Sequence, residues 1–122
     1  MTEIEIIEET ANTYSSSNRS MNSNGKCYYT HPDNGNHCAV GRCMLEDTLT
    51  SLSKIDNEEC VAYLLESLGC KLDDILKPEY RGYSLDFWTD LQDLHDGMKN
   101  FDDNGITPYG LSHVDRLKHR YA

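Results

Sequence analysis

Apolar positions recur at helical spacing from the start of the chain. Ile4, Ile7, Ala11 and Tyr14 share one face, and Thr2 with Glu5 three residues on has the form of a capping box, which predicts a first helix. Residues 15–25 (SSSNRSMNSNG) have no apolar period, and their small polar side chains favour bonds to their own backbone, as in a loop or mobile linker. Lys26 to Thr30 (KCYYT) is aromatic and β-prone. The turn-forming cluster from His31 to Asn36, with Asn34-Gly35 at its centre, separates it from His37-Cys38-Ala39-Val40. This pattern predicts a β-hairpin, which must lie against helices because two strands alone are marginal in water.

Asp56 and Glu59 form a second capping pattern ahead of Val61, Leu64, Leu65 and Leu68, with Gly69 at the expected helix end. Leu72, Ile75 and Leu76 predict a short helix that Pro78 ends. Ser84 can cap a main core helix in which Phe87, Leu91, Leu94, Met98 and Phe101 recur at steps of four and three, broadened by Leu85 and Trp88. DDNGITPYG (residues 102–110) reads as a turn-rich break. Ser112 and Asp115 then box a last short helix carrying Val114, Leu117 and Tyr121. The expected fold is therefore α+β: a small, helix-rich single domain over residues 1–122, with about four to five helices and one β-hairpin.

Composition adds constraints. A chain of 122 residues with 38% hydrophobic and 26% charged residues suits one small fold with a modest core. No stretch approaches the roughly 18 apolar residues of a membrane span, and MTEIEIIEE lacks the basic-then-apolar layout of a signal peptide. The expected location is the cytosol, and the five cysteines, odd in number, are expected as reduced thiols. The formal net charge of −10 opposes direct binding to nucleic acid and favours a partner with a basic surface. It is unevenly spread: residues 46–103 carry fifteen acids against five bases, whereas residues 104–122 hold Asp115 against Arg116, Lys118 and Arg120.

The stretch GNHCAVGRCM (residues 35–44) is dense in potential ligands. Cys27, His31 or His37, Cys38 and Cys43 would suit tetrahedral zinc by donor type, but the gaps are irregular and the Cys-x2-Cys knuckle is missing. A redox role would need a thiolate activated by Arg42 or a neighbouring histidine. The preferred reading is structural: Cys38 and Ala39 are small buried residues leaving the hairpin, Gly41 allows a tight backbone turn, and Cys43 and Met44 continue into the core. No motif calls for a cofactor.

His95-Asp96 invites a general-base reading. Adjacent residues on a helix point about 100° apart, so the two are not expected to pair, and a histidine satisfied by the hairpin is the favoured interpretation. The sharper feature is the opposite face, where Asp86, Asp90, Asp93 and Asp96 recur at steps of four, three and three. Like charges at that spacing weaken a helix. They form either a solvated face or, extended by Asp102 and Asp103, a docking surface for a basic groove. Trp88, Tyr80 and Tyr83 are candidate anchors beside it.

A short N-terminal helix, then KCYY, a turn, CAVG and a late LQDLHD together resemble a family of small uncharacterised proteins of tailed bacteriophages and prophages. The matching residues are Cys27, Tyr29, Cys38, Ala39, Val40 and Gly41, then Leu91, Gln92, His95 and Asp96. The likeness spans roughly residues 3–100. The chain departs from the family pattern in its long Ser/Asn loop and in Cys43, where an aliphatic residue is usual. The resemblance implies a phage-derived accessory protein in the cytosol of a bacterial host, a class that often acts against host defence. The expected function is thus a non-enzymatic inhibitor whose acidic face occupies a basic, nucleic-acid-binding surface of a host effector. One alternative is a sponge for a nucleotide immune signal, held by Tyr28, Tyr29, His31, Arg42 and His95. A second is a small zinc-binding protein or hydrolase.

Overall fold

Thr2 starts the first helix as its sequence predicts: its hydroxyl accepts from Glu5 N at 3.1 Å while Glu5 Oε1 accepts from Thr2 N at 2.9 Å. The computed structural model describes residues 1–20, 28–31, 35–52, 65 and 69–122. Among these, five α-helices and one antiparallel ribbon occur in the order α1 (Glu3–Thr13), α2 (Glu46–Leu52), α3 (Leu72–Ile75), α4 (Leu85–Asp96), β1 (Phe101–Asp102), β2 (Gly105–Ile106) and α5 (Pro108–Tyr121). The architecture is helix-rich α+β. The helix expected from Asp56 onward lies outside the described residues except for Leu65 and Gly69. No helix among the described residues is long and apolar enough to cross a membrane.

α1 buries Ile6, Ile7, Thr10 and Ala11, with Tyr14 just beyond its end. Its inward face is wider than the Ile4–Ile7–Ala11 stripe because α1 meets both α5 and α4 as well as β2. α4 is the central helix: Phe87, Trp88, Leu91, Leu94 and His95 are buried, and Ser84 caps it by accepting from Phe87 N at 3.2 Å.

Several elements differ from the sequence expectation. The expected hairpin of residues 26–40 is reduced, in its described part, to a single antiparallel bridge between Thr30 and His37. The paired ribbon forms instead in the supposed turn-rich break, where Phe101 faces Ile106 and Asp102 faces Gly105 across an Asp103-Asn104 turn. α4 stops at Asp96, so Met98 is 82% exposed and Phe101 belongs to β1. The cause is local. Asn100 Nδ2 donates to Leu94 O at 2.9 Å and fills the space a Cβ at Gly97 would need, and Arg19 Nη1 donates to Gly97 O at 2.9 Å and His95 O at 3.2 Å. α5 begins four residues before Ser112, because Thr107 accepts from Gly110 N at 3.0 Å and Pro108 fits the first helical turn. α2, unforeseen, carries Glu46 and Asp47 in its first turn.

The described part of the Ser/Asn loop is pinned down. Ser16 N donates to Asp102 O at 2.9 Å, Ser15 N donates to Asn18 Oδ1 at 2.6 Å, and Ser20 is fully buried. Residues 21–25 lie outside the described residues.

Candidate partner-binding face

His37 to Met44 forms the centre of the core rather than a reactive centre. Cys38, Ala39, Val40, Cys43 and Met44 are all fully buried. Cys38 Sγ accepts from Gly41 N at 3.3 Å, and Cys43 Sγ donates to Ala39 O at 3.4 Å. Burial pushes the Cys43 thiol up to about 12, opposite to what an activated thiolate requires. His37 Nδ1 lies 3.1 Å from Tyr29 O, a contact only an Nδ1–H can satisfy. The described residues contain no group of three or more His, Cys, Asp or Glu arranged to hold a metal, and Cys27 lies outside them. Gly41 opens the expected tight turn, a 3-10 turn over Gly41–Cys43 with Met44 N donating to Gly41 O at 3.1 Å, and has a second role. A Cβ there would sit 2.3 Å from the backbone oxygen of Tyr29, so the glycine permits close approach of two chain segments.

The CAVG and LQDLHD segments meet: Val40 N donates to Gln92 Oε1 at 3.2 Å, and Gln92 Nε2 donates to Asp96 Oδ1 at 2.8 Å. His95 is fully buried, with its ring edge-on to Tyr14 at 4.7 Å. Contrary to the expectation from helical geometry, His95 and Asp96 do pair, with Nδ1 2.6 Å from Asp96 Oδ1. Asp96 is the last helical residue, where the chain unwinds and its side chain can fold back. Ser20 N donates to His95 Nε2 at 3.3 Å, which selects the Nδ1–H tautomer and occupies the nitrogen a general base would need. His95 is a satisfied structural histidine, although its partner is the Ser20 segment and not the hairpin.

The residues proposed for a nucleotide pocket serve separate networks. Tyr29 is buried beneath Gly41, and Tyr28 packs edge-on to His31 at 5.0 Å. Arg42 Nη1 pairs with Glu9 and donates to Tyr80 OH at 3.2 Å, and Nη2 donates to Thr10 Oγ1 at 3.3 Å. Burial pushes Glu9 up, but its hydrogen bonds from Tyr80 and Arg42 more than offset this and hold the carboxyl below its ordinary range.

The acidic stripe divides into two kinds of carboxylate. Asp90 accepts an ion pair from Arg120 at 2.9 Å and a hydrogen bond from Tyr121 OH, and Asp96 is held by Gln92 and His95. Asp86 and Asp93 are exposed, and no Lys or Arg among the described residues lies within ion-pair distance of either. Partial burial, then Asp96 and Asp90, push the Asp93 carboxyl above its ordinary range, with His113 opposing. Asp102 ends β1 and Asp103 begins the turn of the ribbon, both exposed. Asp102 Oδ1 accepts from Asn104 N at 2.9 Å, and Asp103 accepts from Ser16 Oγ. Two bases of the tail pair with carboxylates of neighbouring helices at the surface: Lys118 with Glu8 of α1 at 2.8 Å, and Arg120 with Asp90 of α4.

Of the expected anchors, Trp88 and Tyr80 are buried, and Tyr83 is half-buried. The exposed apolar side chains beside the stripe are Met98 and Tyr109, 82% and 58% exposed. They flank an open cleft of about 300 Å³ with Asp93 and Asn100. His113 and Arg116 complete it from α5. Nothing in the sequence spacing joins residue 93 to residue 109; the 101–106 ribbon does so by folding α5 back along α4.

A small helix-rich α+β protein with a divided acidic face is thus the class that fold and surface define. No family model, curated protein or solved structure matches this chain.

Proposed function

We propose that this protein is a non-enzymatic binding protein whose acidic face occupies a basic surface of a macromolecular partner. The observation that carries the reading is the state of the charges: Lys118 and Arg120 of α5 are spent on Glu8 and Asp90, while Asp86, Asp93 and Asp102 remain exposed and unpaired by cations, against one exposed α5 base, Arg116, without an ion pair. A net charge of −10 extends that local field over the molecule and speeds encounter with a positive surface. The likeness to small phage proteins supplies the partner class: a bacterial host effector, at the basic site where it would hold nucleic acid, with inhibition of host defence as the outcome.

The test is affinity capture from bacterial lysate at low and high salt, comparing wild type with the triple variant Asp86→Asn, Asp93→Asn, Asp102→Asn. Asp90 and Asp96 are left intact because they hold the fold. The expected result is a protein that binds nucleic acid when free, retained at low salt, released at high salt and lost with the variant. Capture that ignores both salt and the three substitutions would refute the reading.

A further inference from the structure

Two acceptors in the α4–α5 cleft lack a donor. Asn100 is 1% exposed, and its Nδ2 spends both hydrogens, one on Leu94 O at 2.9 Å and one on His113 Nδ1 at 3.1 Å. The amide orientation is thereby fixed, and Oδ1 is left buried without a hydrogen-bond partner. Asp93, which lines the same cleft, has no cation within ion-pair distance among the described residues and is repelled by Asp90 and Asp96. Tyr109 supplies an exposed ring that already lies under a cation, with Lys99 Nζ 5.8 Å from its centroid.

We propose that this cleft receives an arginine side chain of the basic partner, its guanidinium stacked on Tyr109, paired with Asp93 and donating to Asn100 Oδ1. The inference rests on the partner reading above and deepens it. A guanidinium fits better than an ammonium because it is planar, stacks on a ring and presents forked donors to two acceptors at once. Met98 offers the alkyl stem an apolar wall. Three groups oppose an incoming cation: Lys99, Arg116 and the half-buried His113. Lys99 and Arg116 are exposed, flexible side chains that can swing outward. His113 accepts from Asn100 at Nδ1 and is neutral in that arrangement, and its partial burial holds it below its ordinary range.

The experiment is a ¹H–¹⁵N NMR titration of the full chain with N-acetyl-arginine methylamide, its neutral isostere N-acetyl-citrulline methylamide, and inorganic phosphate. Saturable shifts are expected at Asp93, the Asn100 side-chain amide, Tyr109 and His113 with the arginine probe and not with citrulline. Asp93→Asn should weaken binding about fivefold or more, and Glu79→Gln, which removes the same charge elsewhere, should not. Equal shifts with citrulline, no saturation, or phosphate as the probe that saturates these signals would overturn the proposal. Salt-sensitive capture of a partner by wild type and its loss in the triple variant, together with no arginine binding, would remove this inference and leave the partner reading standing. Arginine binding without any such capture would do the reverse.

Discussion

Replacing Gly41 with alanine tests the close approach on which the core depends. The added Cβ would lie 2.3 Å from Tyr29 O, 3.0 Å from its carbonyl carbon and 3.1 Å from its Cα, so the segments must separate until the first distance exceeds 3.0 Å. The obstacle is main chain, so no rotamer change at Tyr29 relieves it. Both segments are sealed in the core, with Tyr29 2% exposed and Val40 and Cys43 fully buried. Overpacking of this kind costs about 1–3 kcal/mol, and separating the segments also strains the Val40 N to Gln92 bond; the entropic gain of alanine in the unfolded chain returns roughly 0.5 kcal/mol. The expected loss is about 2–3 kcal/mol, or roughly 10 °C in Tm for a chain of this size. Urea denaturation followed by far-UV circular dichroism measures it. Gly97→Ala is the companion, since its Cβ would meet the Asn100 amide at 2.2 Å, a side chain that can yield only by giving up its bonds to Leu94 O and His113 but leaves the main chain in place. Gly41→Ala should therefore cost more than Gly97→Ala. A loss below about 0.5 kcal/mol at position 41, the range of an ordinary surface substitution, would refute the argument.

Three further outcomes are expected. His95→Phe keeps an aromatic ring but leaves Ser20 N without its acceptor and Asp96 with Gln92 as its one remaining side-chain donor, and should cost about 2–3 kcal/mol by the same denaturation assay. Asp93 has a raised carboxyl pKa in the folded state, so its favourable contribution exists only at acid pH and is lost as pH rises through that value; Asp93→Asn should raise Tm at neutral pH by the equivalent of a few tenths of a kcal/mol, with the gap closing in acid. Glu9 has the opposite sign: its stabilisation is present above the ordinary carboxyl pKa and is lost as pH falls through its lowered folded value. Glu9→Gln should therefore cost roughly 1 kcal/mol at pH 7, discounted for solvent screening, and progressively less as pH falls into the acid range, as read from Tm against pH.

Where local rules dominate, the sequence is a good guide. The Thr2–Glu5 box, the Ser84 cap and the Pro78 stop all stand where their side-chain chemistry puts them. It misleads where a long-range contact decides between local options. Met98 and Phe101 continue the apolar period of α4, but Asn100 and Arg19, the latter 76 residues from His95, satisfy the α4 carbonyls and end the helix. The strong Asn34-Gly35 turn signal outranks Asp103-Asn104 on paper. The second becomes the paired ribbon because Ser16 N bonds Asp102 O and α5 must fold back onto α1.

The same logic explains why the densest chemical motifs are structural and the candidate site is inconspicuous. Cysteine, histidine and glycine crowd residues 35–44 because a fully buried crossing between chain segments needs small side chains and a way to satisfy each polar atom, requirements that imitate those of a metal site. Each potential ligand in the described part of that stretch is already bonded to the protein. The carboxylates of α4 carry the reverse signature. Their sequence period treats Asp86, Asp90, Asp93 and Asp96 alike, yet only the position of α5 decides that Asp90 is neutralised by Arg120 and that Asp93 is left beside an unpaired Asn100 oxygen. A carboxylate so placed weakens the isolated protein, by repulsion from Asp90 and Asp96, and is stabilised only when a cation arrives. Replacing Asp93 should therefore raise stability and reduce binding together. Replacing Asp90 should lower stability, because it removes the partner of Arg120 and Tyr121. Opposite signs from two residues three apart on one helix would separate a docking carboxylate from a structural one.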